Sequence, residues 1–156
     1  MNIMNHAMRE LVNTIVERKI LPPEMRKIIK SGFINKNDCI FLKKLVSKKT
    51  NVSEIDFIDK TGYECFINSL HIDDYVESDF LSYAVSFIFE LFKGWKQNKN
   101  LQAIISIHES GAVVKLYEER IGESWIASNI EDYEEAILAI DSQFGIEYLK
   151  EKGFIN

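Results

Sequence analysis

The stretch Leu101–Glu119, LQAIISIHESGAVVKLYEE, alternates apolar and polar positions on both sides of a Glu-Ser-Gly break. Leu101, Ala103, Ile105 and Ile107 share one face of the first run. Ala112, Val114 and Leu116 share one face of the second, with Val113, Lys115, Tyr117 and Glu119 on the other. A two-residue period is that of a strand, and a short Gly-containing loop between two such runs predicts an antiparallel hairpin. A two-stranded hairpin is marginal in water by itself, so its apolar face needs a cover.

The chain offers that cover just upstream. In FLSYAVSFIFELF, Phe80–Phe92, and on to Lys96, the polar residues Ser82, Ser86, Glu90, Lys93 and Lys96 form one narrow helical stripe. Phe80, Leu81, Tyr83, Val85, Phe87, Ile88, Phe89, Leu91 and Phe92 occupy the rest. A helix apolar over most of its circumference is buried on most sides. This run is therefore expected to be the central core helix, and its 13 residues are too few and too polar-punctuated to span a bilayer.

Downstream of the hairpin, RIGE at 120–123 predicts a turn and SWIA at 124–127 a short third strand. Ser128 or Asn129 then stands ready to cap a helix with Ile130, Tyr133, Ile137, Ile140 and Phe144 on one face. Gly145 is its expected stop, and IEYLKEK adds a last short helix. Upstream, Met4, Met8, Leu11, Ile15 and Ile20 recur at near-helical spacing. Pro22 and Pro23 break the chain and pre-set the next helix, and Gly32 ends it. Asn37 or Asp38 is expected to cap a third helix carrying Ile40, Phe41, Leu42 and Leu45. Ser53 and Asp56 form a capping signature ahead of FIDKTGYECFINSL, although Gly62 weakens that helix. The predicted fold class is α+β: N-terminal helices and a buried central helix, then a three-stranded antiparallel meander and C-terminal helices. One domain over 1–156 is expected, with a helical part at about 1–97 and a ββα part at about 98–156.

The net charge of −5 hides an asymmetry. Residues 1–50 carry 11 Lys/Arg against 4 Asp/Glu, and residues 51–156 carry 8 against 20, giving +7 and −12. So large a split suggests two faces that attract each other, or one face that meets a charged partner. Two acidic clusters stand out. The first includes Asp73, Asp74 and Glu77. The second runs from Tyr117 through Glu118, Glu119, Glu123, Trp125, Glu131 and Asp132 to Glu135. Carboxylates mixed with Tyr and Trp suit a surface that docks on a basic protein, charge steering the approach and aromatics anchoring it. Those eleven residues are the candidate partner-binding set, although the core accounts for Trp125 slightly better than a surface does.

No catalytic set emerges. Glu118 and Glu119 are neighbours on a strand and point to opposite faces, so they do not form a facing carboxyl pair. Glu131, Asp132, Glu134 and Glu135 are explained as acids at a helix start. His71, Asp73 and Asp74 have no second His at ligand spacing, so no metal site is assigned. Cys39 and Cys65 sit in apolar segments expected to be helical, where a buried, inert, reduced thiol is the default. There is no phosphate-binding loop, dinucleotide fingerprint or nucleophile elbow. The expectation is a protein that is not an enzyme, with no catalytic residues and no cofactor. No signal segment is visible, so a cytoplasmic location is expected, without a membrane. Phosphates would be repelled by the acidic two-thirds. A nucleic-acid-binding regulator stays open as the alternative: two short helices joined by SGFIN resemble a helix-turn-helix, with Lys43, Lys44, Lys48 and Lys49 placed for phosphates.

Residues 110–141, SGAVVKLYEERIGESWIASNIEDYEEAILAID, resemble bacterial toxin-immunity proteins of the contact-dependent growth inhibition type. The likeness rests on the strand, on the turn at Arg120, Gly122, Glu123 and Trp125, and on EDYEEAILAID. It covers about a fifth of the chain. The resemblance implies a non-enzymatic inhibitor that binds a cognate toxin domain, in many cases a basic nuclease, and occludes its active or substrate-binding site. It transfers no individual interface residue, because such proteins differ widely there.

Overall fold

A computed structural model of the chain describes residues 1–12 and 16–156. In chain order the elements are β1 (Ile3–Met4), α1 (His6–Val12), α2 (Pro23–Ser31), β2 (Phe33–Lys36), β3 (Cys39–Leu42), α3 (Lys43–Val46), α4 (Lys60–Ile67), β4 (Ser69–His71), α5 (Phe80–Lys93), β5 (Leu101–His108), β6 (Gly111–Glu118), β7 (Ala136–Asp141) and α6 (Gly145–Glu151). Short 3₁₀ turns at Glu54–Asp56, Ile72–Asp74 and Ile130–Asp132 link some of them. The protein is α+β, with an antiparallel five-stranded sheet in the order β1-β7-β5-β6-β4 and a separate hairpin, β2-β3.

The β5–β6 hairpin is present with the expected alternation. Leu101 pairs with Glu118 and His108 with Gly111. Leu101, Ala103, Ile105, Ala112, Val114 and Leu116 face the main core together with α5, whose Phe87 and Ile88 have no exposed surface. Gly111 is required at the turn: a Cβ there would lie 2.1 Å from the Asp73 carboxylate. On the opposite face Ile104, Tyr117, Ile137 and Ala139 pack with Cys65 of α4 and Ile126.

The polar stripe of α5 is a docking track. Ser82 Oγ accepts the Glu17 N–H at 3.0 Å and Ser86 Oγ accepts the Lys19 N–H at 2.8 Å. Glu90 receives the Arg18 guanidinium at 3.0 Å, and that group lies 3.9 Å over the Phe89 ring. An extended strap at 16–20 therefore hydrogen-bonds to the one side of α5 that could not be apolar.

Three expectations are corrected. The residues foreseen as a third N-terminal helix, around Asn37 to Leu45, begin instead as the β2–β3 hairpin, with only Lys43–Val46 helical. Asn37 and Asp38 both have positive φ, 52° and 60°, and form the two-residue turn. Asn and Asp tolerate that region and suit such a turn as well as a helix cap. The helix-turn-helix is thereby lost, since β2 follows the Gly32 stop of α2, where φ is +72°. Second, Ser124–Ala127 is irregular, and the third strand is β7, from the segment expected to be helical. All six of its residues are buried, because α1 and α6 pack on it where Leu138 and Ile140 join the main core, and Ile126, Ile130 and Tyr133 pack on the other face. The β-strand order is thus not the simple meander. Third, the first helix is described over His6–Val12, and Met4 lies outside it in β1, paired with Leu138. Ile15, part of that expected pattern, lies outside the described residues, and Ile20 is exposed in the strap.

Asn5 explains the break between β1 and α1. Its side-chain oxygen accepts the Met8 N–H at 3.0 Å and the Ile137 N–H at 2.9 Å. Its amide nitrogen donates to the Glu135 carbonyl at 2.8 Å. One side chain thus caps a helix and extends the sheet ladder. Among the described residues no helix is long and apolar enough to cross a membrane.

Candidate partner-binding surface

At one end of the protein the β2–β3 turn, α4 and the chain beyond β6 meet around Glu64. Its carboxylate has no exposed surface and takes four hydrogen bonds. Arg120 donates to both oxygens, Nη1 to Oε1 at 2.6 Å and Nη2 to Oε2 at 2.9 Å. The Ile40 N–H reaches Oε2 at 2.6 Å and the Glu118 N–H reaches Oε1 at 3.0 Å. Arg120 also donates to the Asp38 carbonyl at 2.9 Å. The Glu64 hydrogen bond, outweighing burial, holds the guanidinium still more firmly protonated than usual. With four hydrogen bonds on its two oxygens, Glu64 is a structural staple.

Asn68, one turn further along, works alongside it. Its oxygen accepts the Leu42 N–H, and its nitrogen donates to the Ile40 and Leu116 carbonyls. The beginning of α4 is held just as closely. Asp59 accepts the Gly62 N–H at 2.7 Å and Glu123 accepts the Thr61 N–H at 3.0 Å. The Ser53–Asp56 signature forms a reciprocal capping box on the short 3₁₀ turn before it. Lys60 Nζ donates to the Asn37 carbonyl at 2.9 Å and lies 3.7 Å from Asp38 and 3.8 Å from Glu54.

On this well-tied end three isoleucines stand out in water. Ile55, Ile58 and Ile121 are 90%, 104% and 105% exposed. Ile55 follows Glu54, Ile58 precedes Asp59, and Ile121 follows Arg120, so the contacts of Lys60 and Arg120 with Asn37 and Asp38 bring the segments that carry them to one hairpin tip. Their neighbour Phe57 turns inward and stacks on Tyr63 at 5.0 Å. Single exposed apolar residues are ordinary, but several gathered at one end and rimmed by carboxylates have the make-up of an interface.

The eleven residues expected to bind a partner do not form one surface. Tyr117 is buried, and burial, with Cys65 nearby, pushes its phenol up to about 12; it belongs to the core, a correction to its expected place outside. Glu118 is mostly covered and pairs with Lys99 at 3.3 Å and Arg120 at 3.4 Å. Glu119 accepts from Asn100 at 2.7 Å, and Glu123 serves α4 as described. Glu131 does not start its own helix. It accepts the His6 N–H at 2.6 Å and pairs with Arg9, so its charge sits at the N-terminus of α1. Asp132 pairs with Asn129, while Glu135 is exposed at the rim of a small cavity it shares with Trp125. Trp125 is 44% exposed with the Lys115 ammonium 4.9 Å from its ring. Asp73, Asp74 and Glu77 are exposed in and after the 3₁₀ turn that follows β4. Sequence reasoning missed the isoleucines and the role of Arg120. The signal was faint: isolated Ile residues in acidic, turn-rich segments.

Both cysteines are buried, Cys65 on α4 but Cys39 on β3 rather than on a helix. Burial pushes the Cys39 thiol up to about 11 and the Cys65 thiol further. Among the described residues no three His, Cys, Asp or Glu side chains converge as a metal site would require.

A family model described as the uncharacterized protein PM0498 family matches residues 3–150. Uncharacterized protein PM0498 of Pasteurella multocida (strain Pm70) is 29% identical over 92 residues, a match covering 54% of this chain and 56% of that relative. The chain therefore spans little more than half the length of the curated relative it matches. No solved structure matches the fold.

Proposed function

The chain belongs to the uncharacterized protein PM0498 family, and from that premise we propose that it is a non-catalytic cytoplasmic binding protein that captures a basic protein partner. The observation that carries the reading is the acid-rimmed apolar end: Ile55, Ile58 and Ile121, with Glu54, Asp56 and Asp59 beside them. Burying an exposed isoleucine contributes about 1.5–3 kcal/mol, so three provide the apolar centre of an interface while the carboxylates set the sign of the partner. The resemblance of residues 110–141 to immunity proteins of contact-dependent growth inhibition gives that partner a class: a toxin domain, in the first instance a basic nuclease. Occlusion of its active or substrate-binding site by an acidic surface is the mechanism.

Much of the originally expected ridge is engaged internally, which moves the apolar centre of the surface to the tip of the β2–β3 hairpin and the start of α4. Glu119, Glu123 and Trp125 stay at its margin. The test is inhibition of a basic toxin nuclease domain, taken from a neighbouring gene where one is encoded, with binding kinetics at two salt concentrations. The wild type should inhibit, and its association should slow as salt rises. The variant I55R/I58R/I121R, altered only at exposed positions, should bind at least tenfold more weakly. A wild type that neither binds nor inhibits defeats the reading, and equal binding by the variant places the surface elsewhere.

A further inference from the structure

The acidic protein contains clefts of the opposite sign, and one of them joins lysines to aromatic rings. It lies where the end of α4, β4 and β6 come together, and has a volume of about 440 Å³. Lys48, Lys49 and Lys115 line it, against Asp74 as the single lining carboxylate, so three positive charges less one negative leave +2. The whole chain carries −5. Among the described residues neither Lys48 nor Lys115 has a carboxylate within ion-pair distance. Neutralising carboxylates are abundant in this sequence, yet they are not placed here.

The lysines have distinct tasks. Lys49 Nζ donates to the carbonyls of Phe66, Ile67 and Ser69 at 2.8, 3.1 and 3.3 Å, which uses its three protons on the C-terminal end of α4. It contributes charge to the cleft but no free donor. Burial, and then the charge of Lys115, lower its affinity for its proton, so the two ammonium groups are close enough to oppose each other. A bound anion would relieve that opposition. Lys115 and Lys48 keep donors for it, and His71 and Ser69 line the same cleft. Its walls include two aromatic rings, Phe66, which is 45% exposed, and Tyr75. Cations converging beside exposed ring surface suit a ligand with a phosphate at one end and a flat ring at the other.

We propose that this cleft binds a phosphate ester of nucleotide size, its phosphate at Lys115 and Lys48 and its ring against Phe66. The site is separate from the acid-rimmed isoleucines and stands or falls independently of the protein partner. The probes are adenosine 5′-monophosphate, inorganic phosphate and adenosine, titrated calorimetrically into the full chain. The monophosphate should bind saturably, and more tightly than either fragment. K48M/K115M should weaken it at least tenfold, methionine preserving the Lys115 stem beside Trp125 and leaving the Lys49 cap of α4 untouched. F66A should weaken the monophosphate but not inorganic phosphate. Absence of saturable binding to the wild type, or equal affinity in K48M/K115M with an unchanged melting temperature, overturns the site. Equal affinities for the monophosphate and inorganic phosphate overturn the ring contact.

Discussion

Replacing Arg120 by methionine tests whether the Glu64 staple holds this end of the protein together. Met keeps the stem volume and removes the fork. Glu64, with none of its side chain exposed, would then keep the Ile40 and Glu118 amides but lose its counter-charge. Removing one partner of a buried ion pair costs about 3–5 kcal/mol. Two hydrogen bonds to a charged acceptor survive, each worth about 1.5–3 kcal/mol, which favours the lower end of that range. The lost bond to the Asp38 carbonyl adds about 1 kcal/mol. We expect R120M to lose about 3–4 kcal/mol, a large part of the 5–15 kcal/mol a domain has available. R120K should fall between, because one ammonium cannot make both parallel bonds. The double variant R120M/E64Q should recover only part of the loss relative to R120M, since glutamine removes the unpaired charge but turns its NH2 toward either the Ile40 or the Glu118 N–H. Urea unfolding followed by tryptophan fluorescence and circular dichroism measures all four proteins. A loss below about 1 kcal/mol in R120M, the value of an exposed pair, would refute the staple.

The remaining predictions concern the core, the turn, the strap and one carboxylate. F87A should destabilise by about 3–5 kcal/mol in the same unfolding assay, because the ring is fully buried against the sheet. D38G should stabilise by roughly 0.5–1 kcal/mol by relieving a non-glycine residue at φ 60° in the Asn37–Asp38 turn; a loss of stability would contradict the turn geometry. S82A/S86A should free the amides of Glu17 and Lys19, raising their hydrogen-exchange rates well above the wild type while α5 stays protected. At Asp141 burial raises the carboxyl, but the N-terminal ammonium, the Phe144 amide and Asn2 together hold it below its ordinary value. Its stabilising contribution is therefore present above the unfolded value of about 3.9 and is lost as pH falls through the lower folded value. D141N should be less stable than the wild type at pH 7, and the gap should close under acid; a gap unchanged by pH would contradict this.

The β5–β6 hairpin was legible because its residues alternate and the break between them contains glycine. The central helix was legible because its few polar residues fall on one line. β7 was not: AILAID is apolar on both faces, and a short continuous apolar run does not distinguish a buried strand from a helix segment. The 3- and 4-residue steps from Ile130 to Phe144 combined a turn, a strand and the exposed Phe144 into an apparent helix face. CIFL, also buried throughout, was misassigned for the same reason, and the Asn37–Asp38 pair admits both a cap and a turn. At the surface, charge composition revealed an acidic protein but not which acids are used internally. Glu131 caps a helix some 125 residues away in sequence, and no local pattern signals that. The basic cleft was hidden similarly, since Lys48 and Lys115 meet only through the fold.

The pairing of β1 with β7 sets an order of events during synthesis. Ile3 lies opposite Ala139, so β1 finds its strand partner only when the last part of the sheet has emerged. Until then β5 presents an unpaired hydrogen-bonding edge, and Met4, Met8 and the aromatic side of α5 have only part of their cover. Closing so long a loop is slow compared with forming the neighbouring hairpin. The nascent chain is thus most open to chaperone capture, or to mispairing with another chain, in the interval between completing β6 and releasing residue 141. A synonymous change that slows translation over that interval would lengthen the exposure without altering a single contact of the finished protein.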